Sequence, residues 1–475
     1  MGSHLNGGVL APQAARRQSD PASGAAGTRG VDPRTPVAIV GGGIMGVSIG
    51  YELAKRGIAA DIYEASPTLG GLAGPMTLGD GTVVDRFYHA ILTSDAHLLG
   101  VCRDLGLEGQ LRFKETGTSI YIKGGLHSMS SVGELLRFPP LRPFDRFRLG
   151  AMIGLARLYR DWKRLDEVSV ERWLVRLGGR SLFEALWRPM LAAKYDGDSS
   201  AVAATWMWAR LVRMGSTRGG ASQREQAGHL VGGYPTLLEA MASRIRAAGG
   251  RINLGCPVRR LRVEGQRVVG IEVDGAVIPA NQAVLTMQGP VATRLLPDAA
   301  SGLKARLEGL RYLGIVCPLF VLDRPLTGTW TVNVADQSSP FTGVIETTTY
   351  IDPSHVGGHH LVYVPKYTQP GSSWQSLTDG EVVETWTANL ERMFPAFSRT
   401  HIREVQVHRE RYVDPLHPVG HTISDVPVVT DVGGLFCATT AQIYPALTSG
   451  ESVTRYAAEA ASAIADSLGG QHGTR

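Results

Sequence analysis

The chain has 475 residues, 43% of them hydrophobic and 19% charged, with a formal net charge of +5. That length exceeds what one core organises, and the apolar share is that of an ordinary globular protein rather than a disordered or fibrous one. Four arginines and two aspartates in the first 35 residues supply +2 of the charge, and the +3 left over the remainder is too little to point to nucleic acid.

Residues 1–35 are rich in Gly, Ala, Ser, Pro and Arg without apolar periodicity, so a tail outside the fold is expected there. Its opening, Met1-Gly2-Ser3-His4, reads as a remnant of an expression tag, and no apolar stretch of a secretory signal follows. The longest apolar runs, such as Leu149 to Ala156, fall far short of the roughly 20 residues of a membrane span. Cys102, Cys256, Cys317 and Cys437 are scattered and form no CxxC pair, which speaks against a redox disulfide and against a metal site. Reduced, mostly buried cysteines and a cytoplasmic location are expected.

The fold opens with a βαβ unit. An apolar strand, Val37 to Val40, runs into Gly41, Gly43 and Gly46, which start a helix whose apolar positions recur through Ile49, Leu53 and Ala54. Gly41 permits the tight turn, Gly43 lets backbone approach a pyrophosphate, and Gly46 lets helix pack on strand, while the helix N-terminus offers free N–H groups to phosphate. A second strand, Ala60 to Tyr63, ends in Glu64, placed to accept hydrogen bonds from ribose hydroxyls.

Further along, Gly79-Asp80-Gly81 marks a hairpin turn within Pro75 to His89. Residues 95–227 are expected to be mostly helical, with helices over Asp145 to Glu167, Val170 to Gly178 and Ser181 to Ala193. Gly232-Gly233-Tyr234 leads into a helix, Thr236 to Ala248, closed by Gly249-Gly250. A strand is expected at Arg251 to Leu254, followed by the segment Pro257 to Leu261, a small hairpin of Val268 to Val273 and Val277 to Ile278, and a core strand at Gln282 to Thr286. Between 290 and 425, strands at Gly314 to Leu322, Thr342 to Thr348, His360 to Pro365 and Ile402 to His408, with a helix over Asp379 to Met393, suggest an antiparallel sheet under a covering helix. A buried strand at Gly433 to Ala438 and a helix, Ser449 to Leu468, close the chain.

Glu64 is followed after five residues by Gly70-Gly71, and on this pattern the chain resembles the FAD-binding flavoproteins of the amine oxidase, protoporphyrinogen oxidase and phytoene desaturase type. The resemblance implies an α/β fold: a discontinuous Rossmann-type FAD domain, glutathione reductase-like, with an inserted α+β substrate domain. The FAD domain would comprise residues 36–94, 228–289 and 431–475, and the substrate domain the helical 95–227 and the mixed 290–430. It further implies cofactor contacts from Gly41, Gly43, Ile44, Met45, Gly46, Glu64, Ala65, Gly70, Gly71, Leu72, Val258, whose backbone would meet the adenine edge, and Thr440. Thr448, Ser449 and Gly450 would aim the closing helix's N-terminus at the flavin, where a positive end stabilises the charge of the reduced ring. The plainer alternative makes Thr448 the cap of a surface helix.

Within that superfamily the chain is similar to bacterial FAD proteins that travel with sugar and polysaccharide biosynthesis enzymes. The likeness rests on Asp85-Arg86-Phe87-Tyr88-His89, Phe138-Pro139-Pro140-Leu141, Asp145-Arg146-Phe147-Arg148, Trp187-Arg188-Pro189, Lys194-Tyr195, Gly232-Gly233-Tyr234 and Thr440-Ala441-Gln442-Ile443-Tyr444-Pro445. Where those relatives continue with an acidic residue, Asp, Arg and Gly, this chain has Ala446-Leu447-Thr448-Ser449-Gly450, so its substrate is expected to differ from theirs.

Three residues are candidates for chemistry. By likeness to flavin-dependent sugar mutases His89 would lie near the flavin ring, and its reference pKa of about 6.5 suits it to accept a proton; the alternative is a histidine packed in a sheet. Tyr444 would stand beside the flavin as a wall or hydrogen-bond donor. Lys194, with Trp187 and Arg188, would line the substrate cleft, and Lys366 is a weaker candidate of that kind. Cys437 and His89 are conceivable points of covalent flavin attachment.

The basic stretch from Pro139 to Leu165 reads either as a solvated charged face over a buried apolar stripe, or as a segment that lies on an anionic membrane or holds a phosphorylated substrate. The function expected is FAD-dependent oxidation or desaturation of a sugar-containing or specialised metabolite, with hydride passing to the flavin and oxygen or another acceptor taking the electrons. No second dinucleotide motif is present to serve NADPH. The alternative is a non-redox mutase acting on a nucleotide sugar, and a binding role for the basic segment would favour a nucleotide- or lipid-linked sugar as substrate.

Overall fold

The computed structural model describes residues 35–216, 226–420 and 426–470. Of the tail expected over residues 1–35, positions 1–34 lie outside that range.

A five-stranded parallel sheet organises the cofactor side. Its strands run in the order Ile252–Asn253, Ala60–Tyr63 (β2), Val37–Val40 (β1), Ala283–Leu285 and Leu435–Cys437. Strands buried on both faces read as unbroken apolar runs, and Val-Ala-Ile-Val is one. Alternation along β1 divides the core in two. Val37 and Ile39 point at helices Ile44–Lys55 (α1), Tyr234–Ala247 and Gly450–Gly470, whose Val47, Leu53, Leu237, Met241, Ala457 and Ile464 share one apolar cluster. Ala38 and Val40 point the other way, onto Leu261 and Ile271 of a three-stranded hairpin sheet and onto Leu303 and Leu307. That sheet is Val258–Glu264, Arg267–Val273 and Ala276–Pro279, antiparallel throughout.

The larger sheet has eight strands around Tyr312–Leu322, every residue of which is buried. Ile402–Pro415 pairs along one of its edges, and Lys366–Thr368 and His360–Tyr363 share the other. Beyond them come Gly343–Glu346, Thr331–Val334, Thr118–Ile122 and Gly125–Ser128. The sheet is mixed rather than antiparallel, because Thr331–Val334 runs parallel to Thr118–Ile122, a strand that arrives from a distant part of the chain. The helix Asp379–Met393 covers it as expected. Thr378 opens that helix in a reciprocal box, its hydroxyl accepting from the Glu381 N–H and Glu381 accepting from the Thr378 N–H.

Residues 95–227 are mostly helical, as expected, but strands interrupt them and one expected helix is broken. Leu111–Glu115, Thr118–Ile122, Gly125–Ser128 and Gln226–Leu230 are strands. Thr-Ser-Ile-Tyr-Ile is a β-branched and aromatic run, and Lys123 and Gly124, with φ of 54° and 75°, turn it back on itself. The helix expected from Asp145 to Glu167 is Pro143–Leu158, broken at Tyr159, with a short turn Lys163–Asp166 after it. Val170–Leu182 continues past the expected stop but kinks at Gly179 (φ 83°).

Candidate active site

The two glycine turns press against each other at the C-terminal edge of the parallel sheet. Gly70 N–H donates to the Gly42 carbonyl at 2.8 Å, and Gly43 and Gly70 form an isolated parallel bridge. A Cβ on Gly46 would sit 2.0 Å from the Gly41 oxygen, and one on Gly70 (φ 120°) would sit 2.5 Å from the Gly74 Cα. Only glycine fits either position. No side chain caps the start of α1, so its first N–H groups are left to a ligand.

Glu64, just past β2, accepts from Gly42 N–H at 2.6 Å and from Ser66 N–H at 2.7 Å, which locks the first glycine turn to the strand end. Its carbonyl receives the Cys256 N–H, bringing the start of the strand that holds Val258 alongside; Val258 itself is buried and pairs with Val273. Ala65 and Gly71 are exposed, Ile44 and Leu72 half-buried, and Met45 is in the core under the turn. Thr440 Oγ1 is buried with no partner among the described residues. Compressed glycines, an uncapped helix end, a carboxylate at the strand terminus and an orphaned hydroxyl together fit FAD.

The closing helix Gly450–Gly470 begins beside this cradle, but its first turn is already capped. Ser449 N–H donates to Ser452 Oγ at 2.9 Å and Ser452 N–H to Ser449 Oγ at 3.3 Å, while Thr448 is exposed. Gly450 is glycine because a Cβ there would lie 2.2 Å from Tyr234 Oη. The Tyr234 ring is 5.2 Å from that of His89, so the helix start, Tyr234 and His89 form one contact chain.

His89 does not have the near-neutral pKa expected of it. Burial pulls it down to about 4, its Nδ1–H donates to the Phe87 carbonyl at 3.0 Å, and Tyr350 holds its backbone oxygen. At neutral pH its Nε2 is therefore an acceptor without a charge. The group that titrates near pH 7 is Asp85, whose carboxyl burial pushes up to about 7 despite a bond from Tyr234 N–H at 3.1 Å. Asp85 and His89 line the same small cleft.

That cleft shares Tyr88 and Tyr350 with a larger cavity of about 230 Å³. Its wall is aromatic: Trp187, Trp206, Trp330 and Tyr367 join the two tyrosines. Trp187 Nε1 is buried with no partner among the described residues. Lys194 lines this cavity, ion-paired to Asp414 at 2.6 Å with its ammonium 3.3 Å from the centre of the Tyr367 ring. Its charge is thus already neutralised.

Other candidates are placed elsewhere. Tyr444 does not line this cavity; its hydroxyl donates to the buried Asp166, and its ring lies 4.8 Å from that of His417. Arg188 is exposed and paired with Glu184 at 2.6 Å, and Lys366 is buried against Asp196 at 2.8 Å. Cys437 is fully buried in the sheet with its thiol pushed up to about 12, which makes it unfit for flavin attachment. Sequence reasoning missed Trp206, Trp330, Tyr350 and Asp414. The pair of tryptophans in Trp206-Met207-Trp208 was a usable signal, whereas nothing local marks Asp414. No group of ligands able to hold a metal occurs among the described residues.

Comparison with known proteins places this geometry. The zeta-carotene desaturase of Arabidopsis thaliana is 25% identical over 303 residues, 56% of this chain and 52% of that protein. Across the zeta-carotene desaturases the chain spans between 31% and 60% of their length. Among solved structures, cyclohexylamine oxidase from Brevibacterium oxydans superposes with a TM-score of 0.69 at 17% identity, covering 92% of this chain and 99% of that one. Reduced UDP-galactopyranose mutase superposes with a TM-score of 0.70 at 14% identity, covering 91% and 96%. These likenesses show the fold, a Rossmann-like FAD-binding domain with mixed α/β sheets. Residues 44–457 match the family described as flavin-containing amine oxidoreductase, so FAD is the cofactor and the protein is an FAD-dependent oxidoreductase. The chain belongs to the flavin-containing amine oxidoreductase family.

Proposed function

We propose that this oxidoreductase oxidises or desaturates a specialised metabolite with a flat or ring-bearing body, a sugar-containing one included. The observation that carries the reading is the aromatic cavity adjoining the cleft of Asp85 and His89. Six aromatic side chains around about 230 Å³ suit stacking against a ring or a conjugated segment rather than a small flexible amine. The relatives include proteins named as zeta-carotene and 15-cis-phytoene desaturases, which supports redox chemistry on a largely apolar substrate.

Bound FAD supplies the hydride acceptor, with oxygen or a diffusible compound taking the electrons in turn. This chain's own residues bind, orient and manage protons. Gly41, Gly43, Gly46, Gly70 and Gly71 with Glu64 would hold the dinucleotide, Ile44, Met45, Ala65, Leu72, Val258 and Thr440 would complete its surroundings, and Thr448, Ser449 and Gly450 would set the start of the closing helix, capped by Ser449 and Ser452, toward them. Trp187 offers its unpartnered N–H to a substrate acceptor. His89, neutral and with Nε2 free to accept, orients a hydroxyl or amine, while Asp85, poised near pH 7, takes up the proton that leaves it. Lys194 shapes the wall through Tyr367.

A visible spectrum of the purified protein, followed by anaerobic dithionite reduction and re-exposure to air, tests the reading. Flavin bands that bleach and return within seconds on aeration support an oxidase, and slow return supports a dehydrogenase. Turnover of a nucleotide sugar by the reduced protein with no net electron transfer would replace redox chemistry with a mutase.

A further inference from the structure

The helix Pro143–Leu158 packs one face, through Leu149, Met152 and Ala156, into the apolar core of the helical region. A surface helix of that kind ordinarily turns polar residues outward. This one does not. Phe144 is 64% exposed, Phe147 68%, Leu155 53% and Leu158 76%, and with exposed Ala151 and Gly154 they recur at three- and four-residue steps along one outer face. Eleven large apolar side chains are exposed among the described residues, and four stand on this single face. An apolar stripe of this extent marks a contact surface.

Charge says what the contact is with. From Arg142 to Arg164 the sequence carries seven cationic and two acidic residues, a net +5, equal to the formal charge of the entire chain. Both acids are spoken for: Asp145 is buried and accepts from Ser181 Oγ at 2.7 Å, and Asp161 pairs with Arg164 at 2.8 Å. Exposed cations sit at both ends of the stripe, Arg142 before it and Arg160 and Lys163 after it, and the Arg148 guanidinium lies 4.3 Å over the Phe144 ring. A second copy on the same face would set +5 against +5. An anionic lipid surface would take the apolar side chains into its acyl boundary and the arginines at its headgroups.

The helix that carries the stripe is also bonded to an element that lines the cavity. Trp208 donates its indole N–H to the carbonyls of Ala156 and Tyr159, tying the last turn of the helix to Ala204–Ser216, whose Trp206, Met207 and Arg210 line the cavity wall. We propose that the outer face of Pro143–Leu158 is a docking surface for anionic lipid, which seats the protein on a membrane beside its substrate cavity without crossing it. Among the described residues no helix is long and apolar enough to cross one.

Flotation of the FAD-loaded protein with vesicles tests this, comparing phosphatidylcholine alone with phosphatidylcholine containing phosphatidylglycerol. The expected result is binding to the anionic vesicles that weakens as salt rises. A Phe144→Ser, Phe147→Ser, Leu155→Ser, Leu158→Ser variant should bind on the order of a hundredfold less. Hydrogen exchange on the unaltered protein removes dependence on that variant's folding: amides of residues 143–158 should be protected by anionic vesicles. No flotation with either vesicle, no protection, or a folded variant that binds equally well would each overturn the proposal. So would concentration-dependent dimerisation through this face in the absence of lipid binding.

Discussion

At the scale of single residues, the groups proposed to hold the cofactor are distinct from the groups that titrate. Glu64→Gln places an amide NH₂ against one of the two backbone N–H groups the carboxylate now accepts. Hydrogen bonds to a charged group are worth about 1.5–3 kcal/mol, so FAD affinity should fall about 10- to 100-fold, read by flavin fluorescence titration. Asp85 and His89 pull stability in opposite directions with pH. The folded state raises the Asp85 pKa to about 7, so it binds a proton that the unfolded chain has released, and stability declines as pH rises from about 4 to about 7. The folded state lowers His89 to about 4, so the unfolded chain binds the extra proton and stability rises between about 4 and 6.5. Asp85→Asn leaves the histidine unopposed. Its melting temperature should climb from pH 4.5 to 6.5 more steeply than that of the parent and lose the decline approaching pH 7.

At the scale of elements, Tyr444 joins parts of the fold. Its hydroxyl connects the segment before the closing helix to the short helix Lys163–Asp166. Tyr444→Phe should cost about 1–3 kcal/mol in chemical denaturation, since it removes the hydroxyl's bond to the buried Asp166, while the bound-flavin spectrum is unchanged. A kinetic loss without a stability loss would return Tyr444 to the site. The same contrast explains what was legible in the sequence. The βαβ unit, the Gly70-Gly71 turn and the capped helix Asp379–Met393 are written in local chemistry, because glycine geometry and capping act within a few residues. The parallel pairing of Thr331–Val334 with Thr118–Ile122 and the ion pair of Lys194 with Asp414 join residues more than two hundred apart, and no local pattern encodes them. The strands over 111–128 were missed although their β-branched run and Gly124 turn were visible.

At the scale of the whole molecule, the proposed FAD cradle draws on several distant stretches, which would link cofactor and fold thermodynamically. With free FAD at a hundredfold excess over its Kd, linkage adds about 2.7 kcal/mol to the native state. Flavin-stripped protein should therefore melt several degrees lower by calorimetry, and added FAD should restore the difference in proportion to the logarithm of its concentration. An unchanged transition would mean that the cradle forms no part of the cooperative unit.

The sheet order described above also sets a timetable. β1 and β2 are made early, yet β1's other neighbour, Ala283–Leu285, follows some two hundred residues later, and that strand's own outer partner is Leu435–Cys437. A growing polypeptide leaving the ribosome thus carries an exposed, apolar half-sheet through most of its synthesis, a state prone to aggregation. Yield in a cell should depend on chaperone supply and on slow translation more than on the stability of the finished protein.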